Sequence, residues 1–347
     1  MKLKLTTLLV ALLAISACSN NEEQKPQETA QEVNVYTHRH YDTDKLLFEQ
    51  FEKETGIKVN VLNANADELI TRLENEGENS PADVLITVDA GRLGKAKDMG
   101  LLQSVESEAL SNQVPQHLKD SDNQWYGLTK RARLIAYDKD RVNPEEIETY
   151  WDLTNDKYNG KVLVRSSSNI YNQSLLASMI ALNPDSNYAE QWAQGIVNNM
   201  ARNPAGGDRD QVKAVAAGLG DMAIVNSYYI GKMMESDDES DRKAVANIGL
   251  IFPNQNGRGT HINVSGAGVA KFSKNKENAI KFIEFLTSDK AQDLFSKSNY
   301  EYPVNPNVSA SELLQSWGEF KEDKINLSKL GEFNSSAVML FNKVGWN

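Results

Sequence analysis

Cysteine is all but missing from this 347-residue chain, with Cys18 the only one. A lone thiol forms no internal disulfide, and cysteine catalysis elsewhere in the chain is excluded. Long apolar runs are missing too. The longest near the start, Leu8 to Ile15, is too short to cross a membrane, and nothing later approaches the ~18 residues that a spanning helix needs. Positive charge is in deficit, with 37 Lys and Arg against 48 Asp and Glu. A phosphate backbone needs a basic face, so a nucleic-acid partner is excluded. No GxSxG elbow, phosphate-binding P-loop or HExxH pair occurs, and nothing marks two acidic residues as an acid/base couple. What is present is ordinary globular composition, 40% hydrophobic and 24% charged. Collagen-like, coiled-coil and fully disordered chains are thereby ruled out, and the length suits roughly two domains of about 150 residues.

Residues 1–18 read as a secretory signal. Lys2 and Lys4 precede the apolar Leu8–Ile15 run, and small residues lead to Cys18. This ending resembles a bacterial lipoprotein signal, which implies lipidation of Cys18 and a membrane-anchored protein of the periplasm or cell envelope. Residues 19–32 contain no aromatic residue and one apolar one, Ala30, so they read as a flexible tether.

From Val33 onward, short β runs alternate with amphipathic helices. Val33–Thr37, Lys58–Leu62 and Asp83–Val88 read as strands, separated by a helix that Asp42 or Thr43 caps and Gly56 stops, and by another around Ala66–Glu74. That order implies a mainly parallel sheet covered on both faces. A long strand follows at Tyr126–Tyr137. A second α/β series has strands at Lys161–Arg165, Met222–Val225 and Ile248–Phe252 and helices at Asn172–Leu182, Ala189–Met200 and Asp208–Ala217. Ile262–Phe272 reads as a strand with a glycine-rich bend, Glu277–Phe295 as one strong helix, and Leu313–Leu340 as mostly helix. The expected fold is α/β, with two lobes around a ligand cleft. The expected division gives 33–132 plus 264–347 to one lobe and 133–263 to the other.

Four tyrosines sit where the predicted strands end: Tyr41 beside His40, Tyr171 after the polar Ser166–Asn169 run, and the adjacent Tyr228 and Tyr229. Ligands of open α/β sheets bind beyond such carboxyl ends. Phenolates are hard oxygen donors, and ionising several together needs a strong Lewis acid, a role that ferric iron fills; imidazole also suits iron. One ferric ion with four phenolates carries a net negative charge, which Arg131 and Arg133, two apart on one strand face, are placed to balance. Zinc competes, since His38 and His40 share a strand face, but no third His or Cys is evident nearby. Read singly, His38, His117 and His261 are structural, and a tyrosine at a strand end more often packs than ligates.

The stretches Tyr36–Asp44, Pro81–Leu93, Leu128–Arg133, Arg165–Leu175, Gly206–Gly218, Ala223–Gly231 and Asn299–Pro306, in order, make the chain resemble the periplasmic iron-binding proteins of ABC transporters, a ferric branch of the bilobal solute-binding proteins. The resemblance implies a two-lobed periplasmic binding protein fold of type II character. It implies that the chain is a monomeric, non-enzymatic carrier of an iron ion, Fe3+ or Fe2+, to a membrane permease and its ATPase. It places the metal ligands at His40, Tyr41, Tyr171, Tyr228 and Tyr229. A full set of five leaves little room for a synergistic anion, and Arg131 and Arg133 are expected to lie just outside the ligands or to bind an anion. The alternatives are a carrier of another small cation such as a polyamine, held by cation–π contacts, and a cell-envelope enzyme.

Overall fold

A computed structural model describes residues 31–184 and 186–347. The expected signal segment, Cys18 and most of the tether lie outside the described residues. The first block contains strands β1 (Glu32–Thr37), β2 (Lys58–Asn63), β3 (Val84–Thr87) and β4 (Leu102–Gln103), with helices α1 (Asp42–Thr55), α2 (Ala66–Glu76), α3 (Ala90–Asp98) and α4 (Glu108–Gln113). Strand β5 (Tyr126–Asp138) leads into the second block: β6 (Val162–Leu163), α5 (Ile170–Leu182), α6 (Tyr188–Asn199), α7 (Asp208–Ala216), β7 (Met222–Asn226), α8 (Ser227–Met234), α9 (Glu239–Val245) and β8 (Ile248–Ile251). Strand β9 (Ile262–Ala270) returns to the first block. There α10 (Lys276–Thr287), α11 (Asp289–Asn299) and β10 (Tyr302–Pro303) follow, then α12 (Glu312–Ser316), α13 (Ser328–Glu332) and α14 (Asn334–Val344).

The sheet order is β2-β1-β3-β9-β5-β7-β6. Strands β1, β2 and β3 are parallel, as the β-α-β-α-β pattern implies, but β9 runs antiparallel to both β3 and β5, so the sheet is mixed. Strand β5 serves two pairings. Its residues through Ala132 pair with β9 and β10, and from Arg133 onward it pairs with β7 and β8. One apolar core surrounds β1, β3 and β9, with Leu47, Phe51 and Phe282 among its members. Two further cores flank β7, one built on α5, α6 and α14, the other on α7, α8 and β8. The C-terminal helix α14 thus packs against the second block through Ala337, Phe341 and Val344.

Three expectations change. The Glu277–Phe295 helix is two helices, because Ser288 is extended and its hydroxyl accepts the Ala291 N–H, capping a new helix start. Strand β9 runs straight through its glycines. Added Cβ atoms at Gly266 and Gly268 would meet the carbonyls of Tyr126 and Gln124 at 2.7 and 2.6 Å, so these glycines permit close approach rather than a bend. The irregularity lies opposite, in a register shift between Gly127 and Thr129. The 313–340 region is three short helices, with residues 318–327 crossing the molecule between the first two.

Candidate metal site

Three helix N-termini carry the phenols. Tyr41 is extended (φ −82°, ψ 152°) at the start of α1, and Asp44 fixes it by accepting the Tyr41 N–H at 3.1 Å. Asn169 caps α5 and accepts the Tyr171 N–H at 3.2 Å, placing Tyr171 in the first turn. Strand β7 ends at Asn226, and Tyr228 and Tyr229 follow in the first turn of α8.

These segments converge. The Tyr171 and Tyr228 hydroxyls lie 3.3 Å apart. The Tyr228 and Tyr229 rings are 4.2 Å apart between centroids, and Tyr41 meets Tyr228 edge-on at 6.5 Å. His40 stacks on Tyr41 at 5.2 Å and is exposed, while Tyr171 and Tyr228 are buried. Burial pushes the phenols of Tyr41, Tyr228 and Tyr229 well above their ordinary value, and each is raised further by the neighbouring Tyr171. In the free site Tyr41, Tyr228 and Tyr229 are thus held as protonated phenols, which a strong Lewis acid can ionise.

Cations surround these rings. The guanidinium carbons of Arg131, Arg133 and Arg165 lie 5.3, 5.9 and 5.6 Å from the Tyr171 centroid. Arg131 forms no ion pair with a carboxylate among the described residues; it donates to the Val88 carbonyl and to Ser265 Oγ. Arg133 is paired with Asp208 at 3.0 Å. Lys232 Nζ sits 3.6 Å from the Tyr41 centroid, and burial lowers its ammonium to about 8. Arg39, buried between His38 and His40, binds Asp44 at 2.9 Å and Glu301 at 3.0 Å and so ties the Tyr41 loop to the α11–β10 turn. Burial would raise Glu301, yet Arg39 and Arg131 hold it below the usual carboxylate range.

Sequence reasoning did not single out Lys232, Arg39, Arg165 or Asp208. Lys232 carried a usable signal: it lies four residues after Tyr228, one helical turn on the same face. The other three are brought in by pairing over long separations, which spacing does not reveal. The remaining histidines behave structurally. His117 binds Glu322 at 2.9 Å, and His261 is buried with its imidazole well below its usual value through burial and nearby arginines. Among the described residues, no group of three or more His, Cys, Asp or Glu side chains is placed to hold a metal ion, which leaves phenols as the donors available.

A two-lobed α/β framework with a polar aromatic cluster at converging helix ends defines a solute-binding protein. The chain belongs to the bacterial extracellular solute-binding protein family, whose match spans residues 47–322. It is 46% identical, over 98% of its length and 95% of the relative, to iron uptake protein A1 of Synechocystis sp.. Among solved structures it resembles a Trichodesmium protein in complex with iron and citrate ligands, at 49% identity and TM-score 0.88, covering 91% of this chain and all of that one. It also resembles the Mannheimia haemolytica ferric iron-binding protein A in an open conformation, at 43% identity and TM-score 0.84, covering 91% of this chain and 99% of that one. The bilobal periplasmic fold expected from the sequence is the fold of these neighbours.

Proposed function

We propose that this chain captures a ferric ion between its lobes and delivers it to the permease and ATPase of an iron ABC transporter. The observation that carries the reading is the convergence of the Tyr41, Tyr171, Tyr228 and Tyr229 side chains from separate blocks of the chain, with the Tyr171 and Tyr228 hydroxyls 3.3 Å apart and an exposed histidine, His40, stacked on Tyr41. In this reading the four phenolates and His40 are the ligands, and iron favours the closed form because only that form unites them. Arg131, which makes no ion pair with a carboxylate among the described residues, balances the one net negative charge left by four phenolates on a ferric ion. A ferrous ion leaves one more negative charge, which makes Fe3+ the better match. Five protein donors leave little room for a synergistic anion. Iron is cargo, and no residue of the cleft is assigned a catalytic step.

The lobe division that goes with this reading places residues up to Ala132, and those from Val264 through α13, in one lobe. The second lobe holds Arg133–Asn263 together with α14, whose apolar face belongs to the second core. The membrane anchor belongs to the same reading, through lipidation of Cys18. An organic polycation is the weaker fit, because Arg131 and Lys232 already take up the ring faces that cation–π contacts would use.

The test is the metal content and visible spectrum of the purified protein. A tyrosinate-to-iron absorption band that disappears with a chelator and returns with ferric ion is expected. Ferric addition with no visible band and no release of protons overturns the reading.

A further inference from the structure

Arg131 and Arg133 lie two residues apart on β5 and both face Tyr171, yet their partners separate their roles. Arg133 is 2% exposed, and both of its terminal nitrogens are engaged. Its Nη1 donates to both oxygens of Asp208, at 3.2 and 3.0 Å, and to Asn226 Oδ1 at 3.3 Å. Its Nη2 donates to Asn172 Oδ1 at 2.7 Å. Asp208, also buried, opens α7 and accepts the Asn226 backbone N–H at 3.2 Å. The other end of the Asn172 amide donates to the carbonyls of Arg165 and Ser166, at 2.9 and 3.2 Å, so its orientation is fixed from both sides.

Asn172 directly follows Tyr171, and Asn226 precedes Tyr228 by two residues. One guanidinium therefore holds, through two amides, the two backbone segments that present three of the four phenols. We propose that Arg133, with Asp208, is the positioning pair that sets the spacing of Tyr171 against Tyr228 and Tyr229; this rests on the iron-capture reading above. Because Asp208 neutralises it, Arg133 brings no net charge to the metal. Its contribution is geometric: a planar fork with donors in fixed directions, which an ammonium does not reproduce. Outer groups of this kind orient metal ligands and govern affinity without touching the ion.

The experiment compares the parent with Arg133→Lys, the charge-matched double variant Arg133→Gln with Asp208→Asn, and Asn172→Ala. Each is read by competition for ferric ion against a chelator and by the energy of the tyrosinate-to-iron band at saturation. Arg133→Lys keeps the charge and is expected to bind on the order of 10–100-fold more weakly, with a shifted band. The double variant is expected to behave alike, and Asn172→Ala to show the band shift with a smaller loss of affinity. Parent affinity and an unshifted band in Arg133→Lys would mean that charge alone suffices and would overturn the proposal. Should the variants at 133 fail to fold, Asn172→Ala decides, since it leaves both charges in place: a shifted band supports the positioning role, and parent-like binding with an unshifted band ends it. A parent that develops no band with ferric ion overturns the iron reading itself, a result distinct from parent-like variants of an iron-binding parent.

Discussion

Tyr228 is the most enclosed of the four phenols, touching Tyr171 through its hydroxyl and both Tyr41 and Tyr229 through its ring. Tyr228→Phe keeps that packing and removes one oxygen donor. The variant is expected to melt near the parent but to lose at least about tenfold in ferric affinity, the equivalent of ~1.4 kcal/mol. Calorimetry and chelator competition read the two effects separately, and parent-like affinity would remove Tyr228 from the ligand set. Protons are the other residue-scale consequence. Because burial raises the phenols of Tyr41, Tyr228 and Tyr229, each is protonated in the free protein across the whole physiological range, and iron must displace those protons. Affinity should therefore fall as pH falls. Competition titrations at pH 6 and pH 8 check this, and equal affinities at the two would contradict phenolate coordination.

At the scale of elements, one carboxylate of the 318–327 segment gathers two partners from elsewhere in the chain. Thr260 and Glu322 pair across adjacent backbones, and the Glu322 side chain takes His117 at 2.9 Å and Lys130 at 2.7 Å. Burial would raise that carboxyl, but His117 and Lys130 hold it down at about 2, against an ordinary 4.5. A depressed carboxylate stabilises the fold above its ordinary value and loses that contribution as pH falls from about 4.5 toward 2. The contribution is on the order of 3 kcal/mol at neutral pH. Glu322→Gln should lower neutral-pH stability by up to that amount and flatten the acid limb of a stability–pH curve; an unchanged limb would show that the clasp contributes nothing. This clasp also marks what the sequence hides. The β-α-β-α-β start was legible because strand and helix periodicities differ and Gly56, with φ 71°, stops α1 cleanly. Helix α5 was legible as well, although it is apolar on nearly every side. The break at Ser288, the path of 318–327 and the docking of α14 on the second block were not. Each depends on partners far away in the chain, to which local pattern is blind. The site followed the same division: the tyrosines at strand ends were readable, whereas the buried Arg39–Glu301 and Arg133–Asp208 pairs were not.

At the scale of the whole molecule, closure depends on how tightly the blocks meet. Gly231, on α8 just beyond the tyrosine pair, faces Tyr300 at the end of α11 from the other block. A Cβ added there would lie 2.6 Å from Tyr300 Cβ and 2.7 Å from its Cγ. Gly231→Ala should hold the lobes apart without altering any iron donor. The expected outcome is faster loss of iron to a chelator, by roughly tenfold or more if closure is weakened by ~1.4 kcal/mol, with the saturated visible band unchanged. A variant that retains iron like the parent would show that this approach is slack. Strand β5 passes unbroken from one pairing partner to the other between Ala132 and Arg133. At that junction the Ala132 N–H is bound by Ser227 Oγ, the residue just before Tyr228. A shift of the strand at that junction would pass through one hydrogen bond to the residue that precedes Tyr228, so that loosening the wrist would loosen the fingers.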